Sequence, residues 1–199
     1  MKIAVATKNA HKVKELSRLM SIYGIEFVSL SELGFSGEIE ENGNSFEENA
    51  LIKAKYVCEK YNMPAISDDS GLCVDALGGQ PGIYSARYAS TDGENSSDEA
   101  NIKKLLENLK SVSDEKRTAR FVCAMALCTP DGMELTVTGK CEGRILHEVT
   151  GTGGFGYDPV FYSFDINKTF GKATDDEKNL VSHRANACAL MSEKLKKIF

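Results

Sequence analysis

The sequence has no CxxC pair, no run of basic residues, no apolar stretch long enough to cross a bilayer, and no repeat or low-complexity tract. Each absence removes a class of function. The six cysteines (Cys58, Cys73, Cys123, Cys128, Cys141, Cys188) show no metal-ligand spacing. Most have apolar neighbours and read as small buried hydrophobes, so a reduced, cytoplasmic setting is expected in place of a disulfide scaffold. A net charge of −5 without a basic patch argues against bulk electrostatic binding of nucleic acid or an anionic membrane. The N-terminus lacks the length and cleavage pattern of a signal peptide. What remains is an ordinary globular composition, 42% hydrophobic and 27% charged over 199 residues, expected to form a single domain over 1–199.

The chemistry-bearing stretches stand at element ends. Lys2-Ile3-Ala4-Val5-Ala6 is a short apolar run of the buried-strand type, followed by Thr7-Lys8-Asn9-Ala10-His11-Lys12. Val13, Leu16, Met20 and Tyr23 then mark one helix face that Gly24 can end. A strand, a polar turn and a helix start form a natural anion site, because free backbone N–H groups point outward there. Thr7 and Asn9 add hydrogen-bonding side chains and Lys12 a positive charge. An Asn cap with solvated lysines explains the same residues equally well. Glu26-Phe27-Val28-Ser29-Leu30 reads as a second strand, and an acidic, glycine-containing segment with Glu40, Glu41 and Gly43 follows. Ser45 and Glu48 have capping-box spacing, and Asn49 and Lys53 share a face of the helix they open. Glu40 and Glu41 lie in a turn before that helix, which makes a cation site a fair competitor to simple dipole complementation.

Ala65-Ile66-Ser67-Asp68-Asp69-Ser70-Gly71-Leu72 opens as a buried strand and then carries two adjacent carboxylates, with Gly71 able to turn the chain. Successive strand side chains face opposite ways, so Asp68 and Asp69 cannot share a cleft unless the backbone bends. Cys73 to Leu77 is expected to continue as strand. Ser96 with Glu99 has the spacing of a second capping box, ahead of a helix carrying Ile102, Leu105, Leu106 and Leu109. Residues 119–128 are apolar on both faces, as a central strand is, and Thr129-Pro130-Asp131-Gly132 turns it into an alternating strand from Met133. Gly151 to Phe161 holds four glycines with Phe155, Tyr157 and Asp158, a composition suited to close backbone approach to a ligand and ring stacking. Ser182 can cap a last helix with the stripe Cys188, Met191, Leu195, Ile198. His183 and Arg184 in its first turn are electrostatically misplaced against the helix dipole.

Taken together, the chain resembles the inosine triphosphate pyrophosphatase family (dITP/XTP pyrophosphatases). The resemblance is carried, in order and spacing, by Thr7 to Lys12, Phe46-Glu47-Glu48-Asn49-Ala50, Asp68 to Leu72, Gly82-Ile83-Tyr84-Ser85-Ala86-Arg87-Tyr88, Phe155 to Phe161 and Ser182-His183-Arg184. It implies an α/β fold with a long twisted mixed β-sheet flanked by helices, and two lobes with a nucleotide cleft between them. It also implies a homodimer and Mg²⁺-assisted hydrolysis of non-standard purine nucleoside triphosphates to monophosphate plus pyrophosphate, cleansing the nucleotide pool. By the family pattern Asp69 is the proton acceptor, and Glu40, Glu41 and Asp69 hold the metal. Thr7, Lys8, Asn9, Ala10, His11, Lys12, Lys53 and Ser70 meet the phosphates. Phe155, Gly156, Tyr157, Asp158, Lys178, His183 and Arg184 meet the nucleoside. Two competitors are a pyrophosphatase of similar fold acting on other nucleotides, as in the Maf-like family, and a nucleotide sensor that does not hydrolyse.

Overall fold

The protein is described here from a computed structural model, which covers residues 2–20 and 25–196. Lys2–Val5 forms strand β1, with three apolar residues buried on both faces. Such a run needs neighbours on either side, and β1 pairs in parallel with both β2 (Glu26–Ser29) and β3 (Ala65–Val74). The register sets Val5 beside Ile66, so the turn after β1 begins next to the segment of β3 that carries the acid pair. Between these strands run helix α1 (Ala10–Met20) and helix α2 (Phe46–Tyr61). Helix α3 (Asp98–Asn108) precedes β4 (Thr118–Cys128), and a Thr129–Gly132 turn leads into β5 (Glu134–Ile145). Two short strands, β6 (Phe161–Ser163) and β7 (Lys168–Thr169), extend the sheet in antiparallel fashion. Helices α4 (Asp175–Val181) and α5 (His183–Leu195) complete the described chain. The described strands form one mixed sheet in the order β2-β1-β3-β4-β5-β6-β7.

The chain divides into two compact units. The first comprises Met1–Asp69, Cys123–Gly139 and Arg184–Phe199; its core packs Ile3, Val5, Leu16 and Ile66 with Met125, Leu127, Cys188 and Met191. The second comprises Ser70–Val122 and Lys140–His183, with a core of Leu72, Leu105, Phe121, Phe161 and Phe170. All six cysteines are free, and five are buried.

Several expectations shift in detail. Gly71 does not turn the chain: β3 runs through it to Val74, as a strand accepts a glycine where its neighbours carry the packing. Asp75–Leu77 is a 3₁₀ turn, not strand, because Gly78 and Gly79 follow in left-handed backbone and the Gly78 amide closes onto the Asp75 carbonyl. The cap of α3 is Ser97, one residue later than expected, since the Ser96 amide is held by the Ala86 carbonyl. Ser45 caps α2 by accepting from the Glu48 amide, but the Glu48 carboxylate reaches the Asn44 amide, so the box is only half closed. Helix α4 was not foreseen; Thr174 and Glu177 close a full capping box at its start. The readings on Tyr23, Gly24 and Ile198 lie outside the described residues.

In the second unit the Arg117 side chain is 2% exposed, and burial lowers its pKa from the ordinary guanidinium value. It donates to the carbonyls of Leu109 (2.7 Å), Ile145 (2.8 Å) and Leu146 (2.9 Å), tying the end of α3 to the end of β5. Replacing it by Met takes a charged donor from each of those carbonyls in a desolvated place and leaves Leu109 only the Val112 amide, a loss of about 3 kcal/mol. Urea unfolding of Arg117→Met should show that loss, and a change below about 1 kcal/mol would contradict the role.

Candidate functional site

In the first unit, the segment after β1 is organised by its own side chains. Thr7 Oγ1 accepts the Asn9 amide at 3.2 Å, and Asn9 Oδ1 accepts the Lys12 amide at 3.3 Å, so Asn9 caps α1. The cap and the anion-site readings are therefore compatible: the turn is fixed and Lys12 is delivered to one side of it. The Lys12 ammonium lies 3.2 Å from Asp68. Lys8 is exposed, with its ammonium 4.0 Å from Glu38 and over the Phe35 ring. Ala10 and His11 open α1, and their side chains lie outside the described residues.

The two neighbouring aspartates of β3 take different partners. Asp68 is buried, and Nε and Nη2 of Arg184 donate to its Oδ2 at 3.2 and 3.0 Å. Burial alone would push its carboxyl up. Lys12, Arg184 and Lys53 outweigh that and hold it far below the usual carboxylate range. Asp69 instead accepts from Asn49 Nδ2 at 3.2 Å, and the Lys53 ammonium stands 3.5 Å from its other oxygen. The same ammonium donates to Glu41 at 2.8 Å. Burial, with Glu41 adding to it, keeps the Asp69 pKa above its ordinary value although Lys53 and Lys12 pull the other way. Burial would lower Lys53, but Asp69, Glu41 and Asp68 together raise it. The acidic segment is drawn to this cluster by Asn49, whose Oδ1 accepts the Gly43 amide at 2.8 Å. A Cβ at Gly43 would lie 2.7 Å from that oxygen, so only glycine fits the approach without a shift.

The donor set bears on a metal. Among the described residues no group of three or more His, Cys, Asp or Glu side chains is poised around one point. Mg²⁺ needs only one or two carboxylates, completing its shell with water and phosphate oxygens. Glu41 and Asp69 come from distant segments and already share one cation, the Lys53 ammonium. Two hard oxygen donors around a common positive charge fit such an ion. Glu40, the other acidic residue of the pair, is exposed.

In the second unit the glycine-rich segment is built around Asp158. Its Oδ2 accepts the Phe155 amide at 2.9 Å and the Lys178 ammonium at 2.6 Å. Gly154, with φ +75°, passes so close that a Cβ there would meet this carboxylate. Lys178 reaches it from the capped helix α4 and lies 4.6 Å from the Phe155 ring centroid. The Tyr157 ring is buried, and its hydroxyl donates to the Ser85 carbonyl at 2.8 Å. His183 is buried and stacks on Phe121, centroids 4.9 Å apart and planes at 16°. Ser70 is half-buried at the start of this unit's share of β3. Along α3 a groove of about 710 Å³ has Asp98, Ile102 and Leu106 on its helical wall and Val149, Phe155 and Gly156 opposite.

Sequence reasoning missed three of these contacts. The Asp68–Arg184 pair joins residues 116 positions apart, and nothing local signals it. The sharing of Asp158 between Lys178 and the Phe155 amide likewise depends on folding. Asn49, by contrast, had a signal: it stands four before Lys53 at the start of α2, and both side chains converge on Asp69.

The Ham1 family model matches residues 3–194. The chain is 50% identical over 191 residues to the dITP/XTP pyrophosphatase of Bacillus subtilis (strain 168), covering 96% of this chain and 95% of the relative. It is 46% identical over 194 residues to that of Geobacter sulfurreducens, covering 98% and 96%. The Staphylococcus aureus Ham1 protein superposes with a TM-score of 0.89 at 39% identity, covering both chains completely. With the fold and nearly the full length matched, the chain belongs to the Ham1 family.

Proposed function

We propose that the protein hydrolyses the non-standard purine nucleoside triphosphates ITP, dITP and XTP to monophosphate and pyrophosphate, in a Mg²⁺-dependent reaction that cleanses the nucleotide pool. The observation that carries this reading is the cluster in which Glu41 and Asp69 share the Lys53 ammonium while Asn49 donates to Asp69. The names of the relatives, dITP/XTP pyrophosphatase, support it, and the resemblance implies a cytoplasmic homodimer.

Glu41 and Asp69, with Glu40 beside them, would hold the ion. When bound, Mg²⁺ supplies charge neutralisation for the triphosphate and acidity to nearby water. Asp69 takes the proton of the attacking water. Its half-buried carboxylate, oriented by Asn49 and reached by Lys53, is the acceptor nearest that chemistry. Asn49 fixes the carboxylate by donating to one oxygen. Lys53 and Lys12 offset phosphate charge, and the Thr7 to Lys12 turn, with Lys8, Asn9, Ala10 and His11, meets the phosphates together with Ser70.

The nucleoside is assigned to Phe155, Gly156, Tyr157 and Asp158, with Lys178, His183 and Arg184. Phe155 offers a ring for stacking, held by its amide on Asp158. Arg184 is donor-only and its guanidinium plane is fixed by Asp68. A guanidinium beside an imidazole suits the O6 acceptor of hypoxanthine or xanthine, whereas adenine presents a donor at that position. Guanine shares O6, so its rejection needs a second device at its 2-amino group.

Asp69→Asn keeps the shape and the Asn49 contact but removes the base. Turnover of ITP should fall by about 10²- to 10⁴-fold while nucleotide binding, followed by equilibrium titration, changes little; near-normal turnover would rule out the role. Pyrophosphate release measured across ITP, XTP, ATP and GTP with Mg²⁺ should favour the 6-oxo purines over ATP by up to about 10⁴-fold. Equal use of ATP and ITP would end the base-recognition argument.

A further inference from the structure

We infer that Asp98 is a positioning residue for the glycine-rich aromatic loop. Its carboxylate acts as a tether across the α3 groove that keeps Phe155 in its presenting position. This rests on the proposed nucleoside role of that loop and adds to it a residue from outside its motifs.

The loop is held unevenly. Its base is bonded along 150–153 and 158–160: the Gly153 amide to the Gly171 carbonyl, the Gly171 amide to the Asp158 carbonyl, and the Thr150 amide to the Pro159 carbonyl. The tip, Gly154 to Tyr157, has Asp158 beneath it and the Tyr157 hydroxyl on Ser85. On the α3 side it faces the groove. A strong contact spans that space. The Gly156 amide donates to Asp98 Oδ2 at 2.6 Å, a short bond of the charge-assisted kind. Gly156 has φ +60°, and a Cβ added there would meet nothing within 4 Å, so no steric crowding dictates that conformation. Two glycines with positive φ, Gly154 and Gly156, allow the tip many other conformations once released.

The other end of the tether is rigid. Asp98 is the first residue of α3, after the Ser97 cap. Asn101 of this helix accepts the Ala89 amide and donates to the Ala86 carbonyl, Lys104 donates to the Tyr88 carbonyl, and Asn108 donates to the Tyr88 hydroxyl. Ser85, which holds Tyr157, belongs to that same anchored segment. Asp98 itself is exposed.

Steady-state kinetics on Asp98→Ala, Asp98→Asn and Ser97→Ala test this, alongside hydrogen exchange at the Gly156 amide. Losing one charge-assisted bond predicts about a tenfold rise in KM for ITP in Asp98→Ala, with kcat within about twofold. Asp98→Asn keeps an acceptor oxygen and should restore KM to within about threefold of the parent. Ser97→Ala weakens the same helix without touching the loop, so it should lower Tm and leave KM unchanged. An unaltered KM in Asp98→Ala, or an equal rise in Ser97→Ala, overturns the positioning role. Faster exchange at Gly156 in Asp98→Ala supports the tether whatever the substrate, and unchanged exchange overturns it. If the parent protein turned over no purine triphosphate, the proposed function would fall while the exchange result would still decide the tether.

Discussion

The arrangement depends on one buried carboxylate. Asp68 is enclosed, and an isolated ion there would cost several kcal/mol in desolvation. The Arg184 guanidinium, at 3.0 and 3.2 Å, and the Lys12 ammonium, at 3.2 Å, make its charged form the stable one. That single group joins the start of α5, the start of α1 and the middle of β3. Removing it would take a buried carboxylate from two cations at once, the costly way to break such a network. With Asp68 committed to structure, its neighbour Asp69 is the carboxylate that the proposed chemistry would use. Strand alternation does the sorting, because adjacent side chains of β3 face opposite ways.

Each unit repeats a common device on a different scale. In the first, Glu41 and Asp69 share the Lys53 ammonium, and Asn49 brings Gly43 so close that no side chain fits there. In the second, Asp158 takes the Lys178 ammonium and the Phe155 amide while Gly154 passes against it. A lysine on a helix, a carboxylate and a glycine together fix a loop that its own composition would leave loose. Each lysine reaches its carboxylate from the opening turns of a helix whose first residue is fixed by a cap, Ser45 for α2 and Thr174 for α4. The precision of the loops therefore derives from the caps.

Much of this was readable in the residues. The apolar runs at 2–6 and 119–128 gave central strands because both faces must be covered, and the Asn49–Lys53 spacing put two site residues on one helix face. Strand alternation alone separates Asp68 from Asp69. What stayed hidden depends on distance along the chain. Arg184 reads as a misplaced cation at a helix start until Asp68, remote in sequence, is found beside it. Gly71 looked like a turn, yet the sheet carried the strand through. Helix α4 has only seven residues and little apolar periodicity, so its existence rests on a capping box that pattern reading passed over.

The most direct test of this division of labour is a crystal structure with Mg²⁺ and a non-hydrolysable α,β-methylene analogue of ITP. The account predicts oxygens of Glu41 and Asp69 on the ion, Lys53 shifted from them to a phosphate, and Asp68 still paired with Arg184. An ion held by Asp68, with Asp69 remaining on Lys53 and Asn49 away from the α-phosphorus, would contradict it.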